Sequence, residues 1–576
     1  MKKKLCAMVL ALCMLLTLAA GCGTQTESKT SVAESTETSQ TAETTAAPQE
    51  ETETPAEQPS SEETTEGSAV EEAPATVEYP LVTDGSVSFD VFMSMAGFIP
   101  MVIPDVANVG FDTTRGVQQL EEQTGVDLKW TLIDADSYAD QFSIVMASGD
   151  YPDFLGAANT MVTGGIDALV EQEICIDVVP YLDSCLPDFK AGLYSENEDY
   201  RKYITSDSGY ITTIYNFEEQ STMGSYIRQD WLDQLGLAVP ETYDELHDVL
   251  AAFKSEIDGC DYPMLMTQTW DFPNNMFVGG YETSSFGTGA DLAYFVQDGK
   301  VQAGVMSDGY RDYIQMCHDW YAEGLIGEPT LNVVNNMQIN EYLLSNQCGF
   351  GNGQSDTLGT GAVAAAGGSY NMRAVKEMVR EKGDTFKLYK NSGQPGNGGW
   401  AVSTACEEPE IALKVINWMW TEEGYNAMNF GVEGETYNIV DGEVVFTDLI
   451  VNNPNGMNAM FNSCSEISFF DLPFDFCMER KVATLSNEAE AEAQEIWRTN
   501  TSDEMRYFGS LTIEESEAYT SMAGDLYTHA AENISKFVTG TRPMSEWDSF
   551  LDDLRSMKID ECIALKQAAY DRYQQR

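Results

Sequence analysis

The chain is predicted to be an α/β protein of two or more lobes, and three observations carry that expectation. Strand-like and helix-like stretches alternate along the start of the apolar region. Later helical stretches show a single apolar stripe, as expected of helices laid on a sheet. About 490 residues remain once a polar N-terminal stretch is set aside, which is too long for one core. In order, Val87 to Met93 is a predicted strand, Thr114 to Gln123 a helix closed by Gly125, Asp127 to Ile133 a second strand and Ser137 to Ala147 a second helix. The turn cluster Ala147-Ser148-Gly149-Asp150-Tyr151-Pro152-Asp153 then leads into apolar Phe154-Leu155. This β-α-β order implies a mostly parallel sheet with helices on both faces. Ligands of such sheets sit at the carboxyl ends of strands, so the loops after Met93 and after Leu155 are candidate ligand loops.

Tyr226 to Leu232 runs through Leu235-Gly236-Leu237 into Pro240-Glu241-Thr242. Thr242 with Glu245 three residues later has the form of a capping box. Leu246, Val249, Leu250 and Phe253 then share one helical face, and so do Ala412, Val415, Ile416 and Met419 after Pro409. Trp231 and Trp418 fall in these elements and read as core residues.

The sequence holds 31 basic and 93 acidic residues, a formal charge of -62. The 14 glutamates of residues 23–79, set against Lys29, leave -13 in that stretch, so the apolar region is itself strongly acidic. A phosphate backbone would be repelled at long range, which excludes nucleic acid as a partner.

Nine cysteines follow Cys22, an odd number without CxxC spacing, which argues against a disulfide framework and a zinc site. Cys175 and Cys185 could pair, but spacing does not establish it. His247, His318 and His529 are isolated, and neither a Ser/His/Asp nor a Cys/His set can be assembled. There is no glycine-rich phosphate loop, and no cofactor is implied. Asp134, Asp136 and Asp140, or Glu196, Glu198 and Asp199, could bind calcium, yet neither run matches an EF-hand loop. They read as solvated acidic faces, and no metal is expected.

At the N-terminus, Lys2, Lys3 and Lys4 precede an apolar run from Leu5 to Ala20, then Gly21 and Cys22. This is the layout of an export signal and is short for a spanning helix. Leu18-Ala19-Ala20-Gly21-Cys22 resembles the lipobox of bacterial lipoproteins, with Ala19 where the usual pattern has Leu. The resemblance implies a signal peptide over 1–21 and a lipid on Cys22 (a plain secretory signal is the alternative). Residues 22–85 carry that cysteine and a Thr/Glu/Ser/Pro-rich linker with almost no large apolar residue. Such a segment cannot offset its ordering entropy and is expected to be a disordered tether, or else a regulatory or glycosylated stalk.

Several blocks in order resemble the extracellular solute-binding proteins, family 1, of carbohydrate ABC importers, in their large Gram-positive lipoprotein branch. They are Ala147 to Asp153, Ile227 to Leu237 with Pro240-Glu241-Thr242, and Trp320-Tyr321-Ala322-Glu323-Gly324-Leu325-Ile326. After these come Gly398 to Ser403 with Pro409-Glu410, Glu422-Glu423-Gly424, Gly431 to Tyr437, and Gln567 to Tyr573. The resemblance implies a two-lobed periplasmic-binding-protein-like fold of type II, with two mixed sheets flanked by helices and joined by hinge crossover segments. The expected body is 86–576, lobe 1 being about 86–210 plus 370–448 and lobe 2 about 215–365 plus 450–576.

The resemblance also implies a non-enzymatic function, capture of an oligosaccharide in the interlobe cleft and its presentation to the membrane subunits of a permease by a likely-sized single protomer on the outer face of the cell membrane. A sugar face covering ~100 Å² contributes roughly 2.5 kcal/mol. Micromolar binding needs about 8 kcal/mol net, so two or three aromatic platforms and several hydrogen bonds are required. The candidates are Trp270, Asp271 and Phe272 after the run Met264-Leu265-Met266, and Trp400 after Asn397-Gly398-Gly399. Asn159 lies past the Asp153 turn, Met95 and Phe98 follow the first strand, and Gln354 and Asp356 sit in the glycine-rich stretch after Phe350. Phe470 stands between Phe469 and Asp471, and Arg228 either contacts the ligand or pairs with Asp230. A receptor for peptides or other non-sugar solutes and a surface polysaccharide hydrolase are the alternatives.

Overall fold

The expected alternation is present. In the computed structural model, the described residues are 76–95, 106–218, 223–272, 276–285, 292–387, 394–451, 472–477, 485, 487–500, 502 and 505–576. The export signal, Cys22, most of the linker, Phe98 and Phe470 lie outside them. β1 (Ser88–Met95) and β2 (Asp127–Asp134) pair in parallel over eight residues, and β3 (Phe154–Gly156) joins the other side of β1. Helix Arg115–Thr124 between β1 and β2 ends at Gly125, whose φ of 73° returns its N–H to the carbonyl of Glu121. Helix Ala135–Ser148 follows β2 directly.

β4 (Thr213–Glu218) is followed by β5 (Met223–Arg228), β6 (Tyr262–Met264), the hairpin β7 (Tyr294–Gln297) and β8 (Lys300–Ala303), β9 (Cys348–Gln354) and β10 (Met372–Ala374). Then come β11 (Gln394–Val402), the hairpin β12 (Tyr437–Val440) and β13 (Glu443–Phe446), and β14 (Asp475–Phe476).

These strands form two principal sheets, ordered β14-β4-β11-β3-β1-β2 in lobe 1 and β10-β5-β9-β6 in lobe 2. Only β11 runs against its neighbours in lobe 1, and only β5 in lobe 2. The chain crosses between sheets after Glu218, after Ala374 and after Phe476. Each crossing leaves the carboxyl end of a strand. The first two enter antiparallel β5 and β11, whose starts lie at that same edge. The crossings therefore fall later than the sequence boundaries near 210, 370 and 450, because β4 and β14 complete the first sheet and β10 the second.

Lobe 1 is packed on both faces. Phe154, Trp400 and Val402 point into one apolar cluster with Trp418, and Leu155 and Ala401 into another with Phe92 and Tyr138. That is the period-two alternation of strands buried on both sides. Lobe 2 has one large core, including Trp231, Phe253, Trp270, Phe277, Tyr313, Phe350, Trp497 and Trp547. Thr242 caps its helix through the Glu245 N–H at 3.3 Å, but the Glu245 carboxylate turns to the N–H of Glu241 at 3.0 Å. The complete reciprocal box is at Thr512 and Glu515, at the head of helix Ile513–Val538.

The interlobe edge as candidate ligand site

Because all three crossings join the carboxyl edges of the two sheets, the strand-end loops of both lobes are gathered along one line. This is the position where open α/β sheets bind ligands. In lobe 1 the loop after β3 is tightly held. A Cβ at Gly156 would stand 2.9 Å from that of Met93, so glycine lets the strand end lie against β1. The Tyr138 hydroxyl donates to the Gly156 carbonyl at 2.5 Å, and the Ala157 N–H to the Gly399 carbonyl at 3.1 Å. Ala157 has a φ of 51°, and the turn Ala158–Met161 follows. Within that turn the side-chain Oδ1 of Asn159 is buried without a hydrogen-bond partner. A buried acceptor left open costs about 1–3 kcal/mol, which a ligand hydroxyl can recover.

In lobe 2 the loop after β6 carries Trp270, Asp271 and Phe272, and all three are buried. Trp270 is 1 % exposed, donates its indole N–H to Ser535 Oγ at 3.0 Å and meets Tyr321 edge-on at 5.7 Å. Trp400 is 0 % exposed, packed 4.7 Å from the Phe154 ring and 6.0 Å from Trp130. The two indoles were expected to offer flat faces to a sugar. Here both are core residues standing behind the strand ends, because each ring is enclosed by its own lobe. Phe272 likewise packs between Phe277 and Phe350, and Met95 is in the lobe 1 core.

Asp271 Oδ1 accepts the N–H groups of Phe277 (3.1 Å) and Val278 (3.0 Å), whereas its buried Oδ2 has no partner. Burial pushes its carboxyl up to about 8, against the pull of those N–H groups, and the nearby Glu377 adds to the rise. Glu377 follows β10 and accepts the Ser225 hydroxyl at 2.6 Å, so the roots of two crossings are tied together.

Arg228 departs from its expected role as a ligand contact. It ends β5, at the edge away from the crossings, and is 1 % exposed. Its guanidinium pairs twice with Asp230 (2.8 and 2.7 Å) and lies over Trp231 and Tyr370, so it is a structural pair. Gln354 ends β9 opposite Met223 and is exposed, and Asp356 belongs to the 3-10 turn Ser355–Leu358 that follows. The strand ends thus bring Asn159, Gln354 and Asp356 to the joining edge.

Asn352 is a buried residue that the sequence reading passed over. Its amide N–H reaches Met276 Sδ at 2.8 Å and its Oδ1 is unpartnered. The available signal was an amide between two glycines inside a buried strand, Gly351-Asn352-Gly353. Among the described residues, no group of three or more His, Cys, Asp or Glu side chains converges as a metal site. Eight described cysteines are free thiols, Cys175 and Cys185 among them. No described helix is long and apolar enough to cross a membrane.

Comparisons with known proteins agree with this architecture. A family profile described as bacterial extracellular solute-binding protein matches residues 112–426, more than half of the 576-residue chain. Lipoprotein LipO of Bacillus subtilis is 28% identical over 373 residues, covering 62% of this chain and 69% of that protein. The fructooligosaccharide ABC transporter substrate-binding protein FusA of Streptococcus pneumoniae is 22% identical over 502 residues, covering 80% of this chain and 87% of FusA. Among solved structures, an HMO-binding solute-binding protein from Bifidobacterium longum infantis superposes with a TM-score of 0.68 at 18% identity, covering 85% of this chain and 99% of that one. Two α/β lobes joined at their strand ends, together with the profile match, place this chain in the family of bacterial extracellular solute-binding proteins.

Proposed function

We propose that this protein is a lipid-anchored receptor that captures an oligosaccharide between its lobes and delivers it, chemically unaltered, to an ABC importer. The observation that carries the reading is the gathering of both sheets' carboxyl edges at three crossings, with the open Oδ1 of Asn159 among the loops there. Binding closes the lobes about the crossings, and the closed form is what the permease recognises. FusA is named for fructooligosaccharide and the Bifidobacterium protein for HMO, which supports a glycan as cargo. Asn159 contacts it from lobe 1 and Gln354 and Asp356 from lobe 2, with Phe98 and Phe470 as the remaining candidates for ring platforms. The lipid sits on Cys22, as the name of LipO supports.

The test is a thermal-shift screen of oligosaccharides and peptides, followed by analysis of the recovered ligand. A binding glycan at 100 times its dissociation constant should add about 2.7 kcal/mol. Shortened glycans after incubation, or stabilisation by peptides alone, would overturn the reading.

A further inference from the structure

Besides the three covalent crossings, the lobes meet through a polar contact far along the chain. Helix Ile559–Tyr573 is rooted in the lobe 2 core by Ile559 and Cys562, but its last turn reaches lobe 1. Arg572 Nε donates to Asp207 Oδ2 at 2.5 Å, and its Nη1 and Nη2 donate to Glu515 at 2.9 and 2.5 Å. Arg576 Nε and Nη2 donate to Asp207 Oδ1 at 2.9 and 2.6 Å, and its Nη1 to the carbonyls of Lys202 (3.0 Å) and Thr205. Asp207 stands in the turn between helix Glu198–Ile204, whose Tyr200 and Ile204 are in the lobe 1 core, and β4. One lobe 1 carboxylate thus serves two lobe 2 guanidinium groups.

The contact is partly shielded, with side-chain exposures of 20 % for Asp207 and 10 % for Arg576. Its lobe 2 side is braced. The Thr512 and Glu515 capping box fixes the head of helix Ile513–Val538, and Tyr573 stacks on Phe508 with centroids 5.1 Å apart. Against the cost of burial, Arg572 and the Thr512 N–H hold the Glu515 carboxyl below the usual carboxylate range, so it stays charged against the arginine. Nearby, Gly164 of lobe 1 abuts Ile513 so closely that a Cβ would stand 2.5 Å from Cγ1.

We infer that Asp207, Arg572 and Arg576 form an interlobe clasp that limits how far the lobes open. Hydrogen bonds of 2.5–2.9 Å are lost when the partners separate by about 1 Å more. A hinge rotation that carries the Asp207 turn away from the C-terminal arm must therefore break several charge-assisted bonds together. The clasp is all-or-none where the covalent crossings only bend. Its consequence for ligand capture rests on the receptor reading above. The clasp itself does not, and is testable without any ligand.

The experiment compares ligand-free wild type, Asp207→Asn and Arg576→Gln by small-angle X-ray scattering and hydrogen exchange, with Arg373→Gln as control. Arg373 pairs with Glu492 inside lobe 2 at 2.9 Å. Both clasp variants should show a larger radius of gyration and about tenfold faster exchange over residues 198–212, the loss of roughly 1.4 kcal/mol of local protection. The control should match wild type. Wild-type scattering and exchange in a folded Arg576→Gln protein would overturn the clasp, whether or not Asp207→Asn folds, because Arg576→Gln leaves the Arg572–Asp207 pair in place. Failure of every glycan to bind would sink the receptor reading and leave the clasp result standing.

Discussion

The indole N–H of Trp270 donates to the hydroxyl of Ser535 at 3.0 Å, joining a loop of the second sheet to a helix far away in sequence. The relationship matters because Trp270 has a φ of 59°, a backbone region that bulky side chains rarely enter. Its carbonyl accepts the Tyr313 hydroxyl at 2.6 Å and its N–H donates to the Thr267 carbonyl at 2.9 Å, so the conformation is held from several sides. Ser535→Ala should cost about 1–3 kcal/mol by stranding the indole N–H, and Trp270→Ala about 3–5 kcal/mol. Urea unfolding followed by circular dichroism measures both. Near-wild-type stability of Trp270→Ala would return this residue to the list of ring platforms.

Asn159 should behave oppositely. Its Oδ1 has no internal partner to lose, so Asn159→Ala should shift stability by no more than about 0.5 kcal/mol. Ligand affinity, measured by calorimetry with whichever glycan emerges from the screen, should fall about tenfold. Unchanged affinity would remove Asn159 from the site.

Asp271 predicts a pH dependence. Its folded pKa of about 8 lies above the unfolded carboxylate range near 4, so between those values the folded state binds the extra proton. Stability therefore falls as pH rises across that window, by at most about 1.4 kcal/mol per pH unit from this group, and levels off above it. Asp271→Asn keeps the acceptor for the Phe277 and Val278 N–H groups and should flatten the slope. Denaturation midpoints at pH 5, 7 and 9 in both proteins decide it, and parallel curves would show that Asp271 is ionised throughout.

Gly224 begins the second strand after a crossing, and a Cβ there would stand 2.2 Å from Cδ1 of Trp497, whose Nε1 donates to the Ser225 carbonyl at 3.2 Å. Gly224→Ala should cost about 1–3 kcal/mol through overpacking and change the fluorescence of Trp497. Wild-type stability and emission together would mean that the ring swings aside freely.

Cys22→Ala should abolish incorporation of a labelled fatty acid and release the protein from the membrane fraction. Retained label would place the lipid elsewhere.

The lobe architecture was legible because its signals are local. Gly125 and Gly149 end helices where turn residues stood, and the stripe Leu246, Val249, Leu250, Phe253 is buried as its spacing requires. The fate of the tryptophans was not legible. Trp270 and Trp400 stand beside strand ends as expected, yet which way a ring turns depends on Ser535 and Trp130, partners remote in sequence. Arg228 failed for a related reason: antiparallel β5 carries its last residue away from the joining edge, and sequence spacing does not report strand direction. The Asp207 contact was invisible for the same cause, since its two arginines lie at the far end of the chain.

The position of β11 has a consequence for how the molecule is made. It sits between β3 and β4, yet it is synthesised after the whole run β5 to β10. Until residues 394–402 arrive, the nascent first sheet has a missing centre and presents two raw edges, each a template for the wrong neighbour. Premature termination anywhere before Gln394 should thus yield sticky fragments rather than a usable half, and delivery across the membrane favours a chain kept unfolded until its middle strand is through.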